Sequence, residues 1–412
     1  MPFLSFLVIL CCISLGGISL FQKKKFVAPS VLIPILWGGL TLFYSVIDHG
    51  MYPLSSKVYV AILFWVTTFY CGAIIFEKVA IKGCDIHDFH QTTLNFYYKI
   101  ALISTPFIIY SIYTMGMEGG FSFFANIRLA VVGMSDTSRS LGILRYISTL
   151  ALITFLIELY QYNGSKNKKR IIVLFVINII ATFSTMAKTS LIYFFVCSLV
   201  VLVFKWGKIG WRKLLFALLS LIVVFSLFQI LRNLNTMSEG KELIFNMLNV
   251  YILGGMPAFD ALIKENVSST LFGANSLSFF YKFIETFAGI SLADGQGQFI
   301  GDGSGYAMVP FPTNVFTVFA PFYSDFGLIG ILVFGFITGA LAGIIYRLAK
   351  KRVGWAVIFY SYIACALLLE FFSDFIFLML SQTIQFFLIS YFAYRYRWKV
   401  RIFPKYGIEH CK

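Results

Sequence analysis

Asn314-Val315-Phe316-Thr317-Val318-Phe319-Ala320-Pro321-Phe322-Tyr323-Ser324-Asp325-Phe326-Gly327 is the stretch on which the reading of this chain turns. It is apolar enough for membrane depth, yet Asn314, Thr317, Pro321, Tyr323 and Asp325 interrupt it. Broken backbone studded with polar groups is tolerated in a bilayer only where protein or a wet cavity covers it. The stretch therefore reads as a cavity wall. It runs on into an apolar span and closes a polar excursion that opens at Arg232, so 232–325 reads as one large loop between membrane crossings.

Working outward, the remainder is membrane. Of 412 residues, 59% are hydrophobic and only 12% charged, too little charge to coat a soluble domain of this size. Apolar runs long enough to cross a hydrocarbon core of about 30 Å as helix recur near 3–21, 27–47, 58–76, 98–115, 143–162, 171–186, 189–204, 214–231, 326–346, 355–373 and 375–393. Backbone groups in lipid must be bonded internally, so these are helices. The expectation is an all-α polytopic membrane protein with about eleven transmembrane helices and one large outward loop. The run from Phe3 to Phe21 lacks a basic leader and a small-residue cleavage site, and it reads as a span rather than a signal peptide. No internal repeat or low-complexity linker is visible, so 1–412 reads as a single membrane domain.

Charge sets the orientation. With these spans, 24 of the 33 Lys and Arg residues fall on one side, which the positive-inside rule makes cytoplasmic. The large loop then faces outward, the N-terminus lies outside and the basic tail lies inside. Most of the 18 acidic residues fall on the outer side, so the net charge of +15 reflects topology and excludes a nucleic-acid-binding reading. Five of the seven cysteines lie in spans, Cys84 and Cys411 lie inside, and the large loop has none, which leaves no disulfide framework.

A few charged residues stand out on the acidic outer side. Arg128 and Arg139 lie in the segment 118–142, with Arg145 at the mouth of the next span; they read as snorkelling interfacial residues or as an anion-binding loop. Lys188 sits in a tight outer turn from Phe183 to Ser190, at a depth where a lysine needs water or a partner. Within the large loop, Glu242 to Lys264 and Ser276 to Ile290 read as helical pieces that lie in the headgroup plane or wall a sideways entry for lipid. The Gly-rich run 289–305 lacks the endings of a P-loop and of a calcium loop, and reads as a lid or interface loop. Glu370 and Asp374 fall four residues apart near the outer end of a span; a continuous helix would place both on one face, with Arg145 or Lys188 as partners, in a binding role or a structural ion pair. On the inner side, His87 and His90 beside Asp85 and Asp88 read as a solvated loop ahead of a metal site.

The large loop has no His and no Cys, which argues against zinc hydrolysis, Ser-His chemistry and thiol nucleophiles there. What remains is carboxylate acid-base chemistry and recognition of anions by Arg, whose planar fork bonds two phosphate oxygens at once. Such a site stabilises a departing pyrophosphate without a metal. A carboxylate such as Asp325 suits the removal of a proton from an attacking hydroxyl.

The layout of an Arg-bearing outer segment, the Lys188 turn, a large loop opening with Arg232, Asn314-x-x-Thr317 and the closing run Tyr323 to Gly327 resembles the oligosaccharide repeat-unit polymerases, the Wzy-type O-antigen polymerases. Position 139 is Arg and position 243 is Leu, where some members of that family carry Gly eleven residues after each loop arginine. The resemblance implies a GT-C-like glycosyltransferase of the bacterial inner membrane with a periplasmic active face and no cofactor. It would move a growing glycan from undecaprenyl pyrophosphate to the non-reducing end of the next lipid-linked repeat unit. Matching positions suggest Arg128 and Arg232 as pyrophosphate or glycan contacts and place Asn314, Tyr323 and Asp325 in the closing wall of the cavity. Together with the charges read above, the candidate set is Asp325, Arg232 and Arg128 as catalytic residues, with Arg139, Arg145, Lys188, Asn314, Tyr323, Glu370 and Asp374 binding substrate. Expected partners are the carrier-linked oligosaccharide, membrane lipids and a chain-length regulator. Two other readings stay open: an O-antigen ligase, against which the absence of a loop His counts, and a lipid-linked oligosaccharide flippase, against which the single long loop counts.

Overall fold

The computed structural model describes residues 3–22, 25–79, 87–132, 141–164, 167–207, 249–265, 269, 271–289 and 306–397. The expected span at 214–231, Arg139, Arg232, Asp85, the Gly-rich residues 290–305 and the end of the tail lie outside them. The helices are α1 Phe3–Phe21, α2 Pro29–Val46, α3 Ser56–Lys78, α4 Gln91–Met117, α5 Phe123–Val132, α6 Leu144–Gln161, α7 Lys168–Phe183, α8 Lys188–Trp206, α9 Gly255–Glu265, α10 Ser278–Ala288, α11 Phe319–Lys350, α12 Gly354–Leu368 and α13 Leu380–Arg395. A two-stranded antiparallel hairpin, β1 Ala307–Met308 with β2 Pro312–Thr313, is the only sheet among the described residues, its register pairing Ala307 with Thr313. Among the described residues, six helices, α1 to α4, α8 and α11, are long and apolar enough to cross a membrane. The protein is thus a helical membrane protein, as composition requires.

The most extensive helix contact joins α3 and α11. Gly335, Gly339 and Gly343 repeat every four residues along α11 and bring backbone against backbone. A Cβ at Gly339 would lie 2.1 Å from the Phe69 carbonyl oxygen, and one at Gly343 would lie 2.6 Å from that of Ala73. From the other side, a Cβ at Gly72 would lie 2.4 Å from the Phe336 carbonyl oxygen. Lipid tails are as apolar as leucine, so helices in a bilayer gain most by approaching closely and maximising van der Waals contact.

Two apolar stretches leave the helix close to the expected span boundaries at 326 and at 373–375. Helix α11 starts at Phe319, ahead of the expected span, and breaks at Gly327 (φ 61°, ψ −150°), a region open essentially to glycine. The pair α12 and α13 is separated by 369–379, which leaves the helix although it is almost wholly apolar. The cause is Asp374. Its carboxylate accepts the backbone N–H groups of Ile376, Phe377 and Leu378 at 2.9 to 3.2 Å, giving the chain a turn in place of helix. Glu370 and Asp374 consequently do not share a helical face.

At the end of the bundle where α6 gives way to α7, Arg170 and the buried Glu158 form an ion pair at 2.9 Å. Arg170 also donates to Asn95 Oδ1 at 2.6 Å and lies 4.6 Å from the Tyr98 ring centre, tying α7 to α4 and α6. Lys205 donates to the carbonyls of Leu159 and Tyr162, closing the end of α6. His87 stacks on Tyr394 at 3.9 Å, which joins the inner loop to α13.

Candidate functional site

The 369–379 break meets the segment that leads into α11. Val318 N–H donates to the Glu370 carbonyl at 2.7 Å, and Thr317 bridges to Ser373 in parallel. Thr317 has φ 61°, a left-handed conformation that a β-branched residue adopts only under constraint from its surroundings. Gly255 at the start of α9 completes the junction, since a Cβ there would lie 2.5 Å from the Phe371 carbonyl oxygen and 3.1 Å from Thr317 Cγ2. Irregular backbone from three parts of the chain is thus locked together beside α2, α3 and the start of α11.

Glu370 lies at the centre, 2% exposed. Its Oε2 accepts the indole N–H groups of Trp37 at 3.0 Å and Trp65 at 2.9 Å, from α2 and α3. Its Oε1 is buried and has no hydrogen-bonding partner among the described residues. Both indoles pack on Phe319, and Phe319 packs on Phe259 of α9. Phe259 in turn meets the half-buried Tyr323 edge-on at 5.5 Å. Helix α9 is pinned beside them by Asp260, which accepts from the Ser55 hydroxyl and pairs with Lys264 at 2.7 Å.

Truncating Glu370 strands two buried indole donors, and an unsatisfied buried donor costs about 1–3 kcal/mol. Glu370→Ala is accordingly expected to lower the melting temperature of the purified protein clearly. Glu370→Gln keeps an oxygen for both indoles and is expected to melt close to wild type; fluorescence-detected size-exclusion after heating measures both.

Lys188 opens α8 and is buried, with 8% of its surface exposed. Its ammonium lies 3.9 Å from the Tyr251 ring centre, and Tyr251 stacks on Phe372 of the 369–379 break with the two rings nearly parallel. A cation over an aromatic face in a desolvated setting is stabilised by about 2 kcal/mol. The sequence reading of a tight turn holds: α7 ends at Phe183, α8 begins at Lys188, and Met186 takes φ 45°. Arg128 is carried on α5, a helix within what reads as a loop. Asn126 anchors α5 by donating to the Gly116 and Phe121 carbonyls at 3.0 and 3.1 Å. Ile127 and Ala130 pack into one small core with Met186 and Leu191, so the Arg128 helix rests on the Lys188 turn.

Asp325 is fully engaged. Its Oδ1 accepts the Asn275 backbone N–H at 3.1 Å and the Asn275 side-chain amide at 3.0 Å. Its Oδ2 accepts the Ser276 N–H at 2.7 Å and the Ser276 hydroxyl at 2.6 Å. Asp325 thereby clasps the turn that leads into α10.

Of the residues singled out in sequence, Glu370, Asp374, Lys188 and Tyr323 gather around the junction of the 369–379 break with the start of α11, and Asp325 lies two residues before Gly327. Asn314 is exposed beyond the hairpin, and Arg145 is exposed at the start of α6. Sequence reading missed Trp37, Trp65, Asn275 and Ser276. A signal existed for the tryptophans, because each sits inside an apolar run and its indole N–H requires an acceptor in a dry interior.

A helical membrane protein with broken, polar-studded backbone concentrated at the ends of its helices is the class this architecture defines. No family model matches the chain, and no solved structure matches it. The chain is 25% identical over 396 residues to a protein of Shigella dysenteriae described as an O-antigen polymerase, covering 90% of this chain and 92% of that one. This similarity supports the Wzy-type polymerase family for the chain.

Proposed function

We propose that the chain is a repeat-unit polymerase of the glycosyltransferase type, crossing the bacterial inner membrane about eleven times in a GT-C-like arrangement with its active face in the periplasm. The observation that carries this reading is the similarity to the Shigella protein along nine-tenths of both chains. A position for the site on the outer side, at the junction of the 369–379 break with the start of α11, is supported by the gathering of Glu370, Lys188 and Tyr323 there.

In the reaction, the bond between the anomeric carbon of the growing glycan and its undecaprenyl pyrophosphate breaks. A new bond forms to a hydroxyl at the non-reducing end of the next lipid-linked repeat unit, and the hydroxyl proton is lost. Arg232 and Arg128 hold the pyrophosphate and stabilise the charge that develops as it leaves, which needs no metal. Lys188, on the element that α5 packs against, adds a further fixed cation. Asp325 activates or orients the acceptor; its four hydrogen bonds to Asn275 and Ser276 favour an orienting role through the wall it holds in place. Glu370 offers a carboxylate oxygen to sugar hydroxyls, and Tyr323, Asn314, Arg139, Arg145 and Asp374 complete or support the cavity. A chain-length regulator is the expected protein partner.

Deleting the gene in its native host and restoring it tests the reading on a gel of surface glycan. The expected result is loss of the ladder with single-repeat glycan still attached to its lipid. Complete loss of surface glycan, with carrier-linked material accumulating, overturns the polymerase in favour of the flippase or ligase. An unchanged ladder from Arg232→Ala at normal expression removes Arg232 from the site.

A further inference from the structure

Helix α10 turns a polar strip to the protein. Ser278 is buried, and Tyr281 and Glu285 are half-buried, while Lys282 and Thr286 are exposed along one flank. Tyr281 donates its hydroxyl to the Phe272 carbonyl at 2.6 Å, closing that side. The opposite side is Phe280, Phe283, Ile284 and Phe287, all exposed, Phe287 by 77%. Phe283 and Phe287 stack on each other at 4.6 Å, which leaves an outward plate of rings. Water would make such a surface costly, and an apolar plate of this kind marks a contact with lipid or protein.

The surroundings decide which. Phe272, 75% exposed, packs edge-on against Phe326 at 5.0 Å, directly above the Gly327 break. Below it α11 exposes Ile329, Val333 and Ile337 on the run that crosses the membrane. Phe272, ahead of α10, thus ties this segment to the top of the exposed apolar surface of α11. Asp325 holds the segment there through Asn275 and Ser276.

We propose that α10 is a lipid-embedded helix, its Phe280, Phe283, Ile284 and Phe287 face immersed in the hydrocarbon of the outer leaflet and its polar face closing the side of the cavity. The inference uses the membrane reading of the chain and is independent of which glycan the protein handles. A helix with one apolar face binds a bilayer at the boundary of headgroups and acyl chains, about 5–10 Å into it.

The test is site-directed spin labelling of the full chain in lipid nanodiscs, in a background free of native cysteines. Nitroxides are placed by Phe283→Cys and Phe287→Cys, with Thr286→Cys on the other side of the helix for comparison. Collision with oxygen, which concentrates in hydrocarbon, is expected to exceed collision with a water-soluble nickel chelate severalfold at 283 and 287, and the order is expected to reverse at 286. Equal access of the chelate to 287 and 286 overturns the proposal. So does a label at 287 closed to both reagents, which means that protein covers the plate. If the labelled variants are not recovered, a photoreactive probe dissolved in the bilayer is applied to the unsubstituted protein: adducts within 279–288 support the proposal, and adducts confined to the spanning helices overturn it.

Discussion

Gly339→Leu is expected to prevent recovery of a folded, monodisperse protein from the membrane. The added Cβ would sit 2.1 Å from the Phe69 carbonyl oxygen and 2.8 Å from its carbonyl carbon, and both are backbone atoms of a helix that cannot step aside by itself. Relief requires α3 and α11 to separate along the whole line of contact, which would also undo the close approaches at Gly335 and Gly343. Overpacking typically costs about 1–3 kcal/mol, and here the loss falls at the top of that range or above it because no side chain is available to rotate. Gly339→Ala is expected to show the same defect, less severely. Gly17→Leu is the control, since no atom lies within 4 Å of a Cβ there. Size-exclusion profiles of detergent-extracted fluorescent fusions measure all three.

Asp325→Ala is expected to abolish the surface-glycan ladder while the protein remains in the membrane at normal abundance. The substitution removes the acceptor from four donors at once, two on Asn275 and two on Ser276. A hydrogen bond to a charged group contributes about 1.5–3 kcal/mol, enough in sum to release the turn before α10 without touching the α3–α11 interface. Where the carboxylate also takes part in activating the acceptor, a further factor of about 10² to 10⁴ in rate is lost. Asp325→Asn is expected to fail as well, because its amide turns a donor toward either the Asn275 or the Ser276 pair. A wild-type ladder from either variant excludes Asp325 from both roles. Limited proteolysis distinguishes the two: release of the turn opens a cut within 271–289, and loss of acid-base chemistry alone does not.

Much of the frame was legible in the sequence because a bilayer imposes simple rules. Apolar runs marked the helices, and at ten of the eleven expected spans the structure has a helix; the remaining one, 214–231, lies outside the described residues. Run length, however, reports hydropathy and not hydrogen bonding. Hydropathy places a boundary between spans at 373–375 and leaves open a helix continuing to Asp374. Only the tertiary setting reveals that the whole of 369–379 leaves the helix with Asp374 holding its backbone. The same blindness hid α5, whose short helix is stabilised by Asn126 and by packing on the Met186 turn more than by its own ten residues. The site was legible as a list of costly residues: a buried lysine, two buried carboxylates and a polar-studded wall. Their partners were not, because Trp37 and Trp65 are separated from Glu370 by more than three hundred residues of chain.

The break at Gly327 also sets a depth. Below it, α11 runs unbroken from Leu328 to Lys350, a length of about 34 Å at 1.5 Å per residue. A hydrocarbon core is about 30 Å thick. The lower piece of α11 is therefore a gauge cut to one bilayer, fixed against α3 and ending at the basic pair Arg347 and Lys350. With that piece filling the hydrocarbon, Tyr323 and Asp325, just above the break, would fall where acyl chains give way to phosphates, the plane in which the proposed lipid-linked substrate would carry its headgroup.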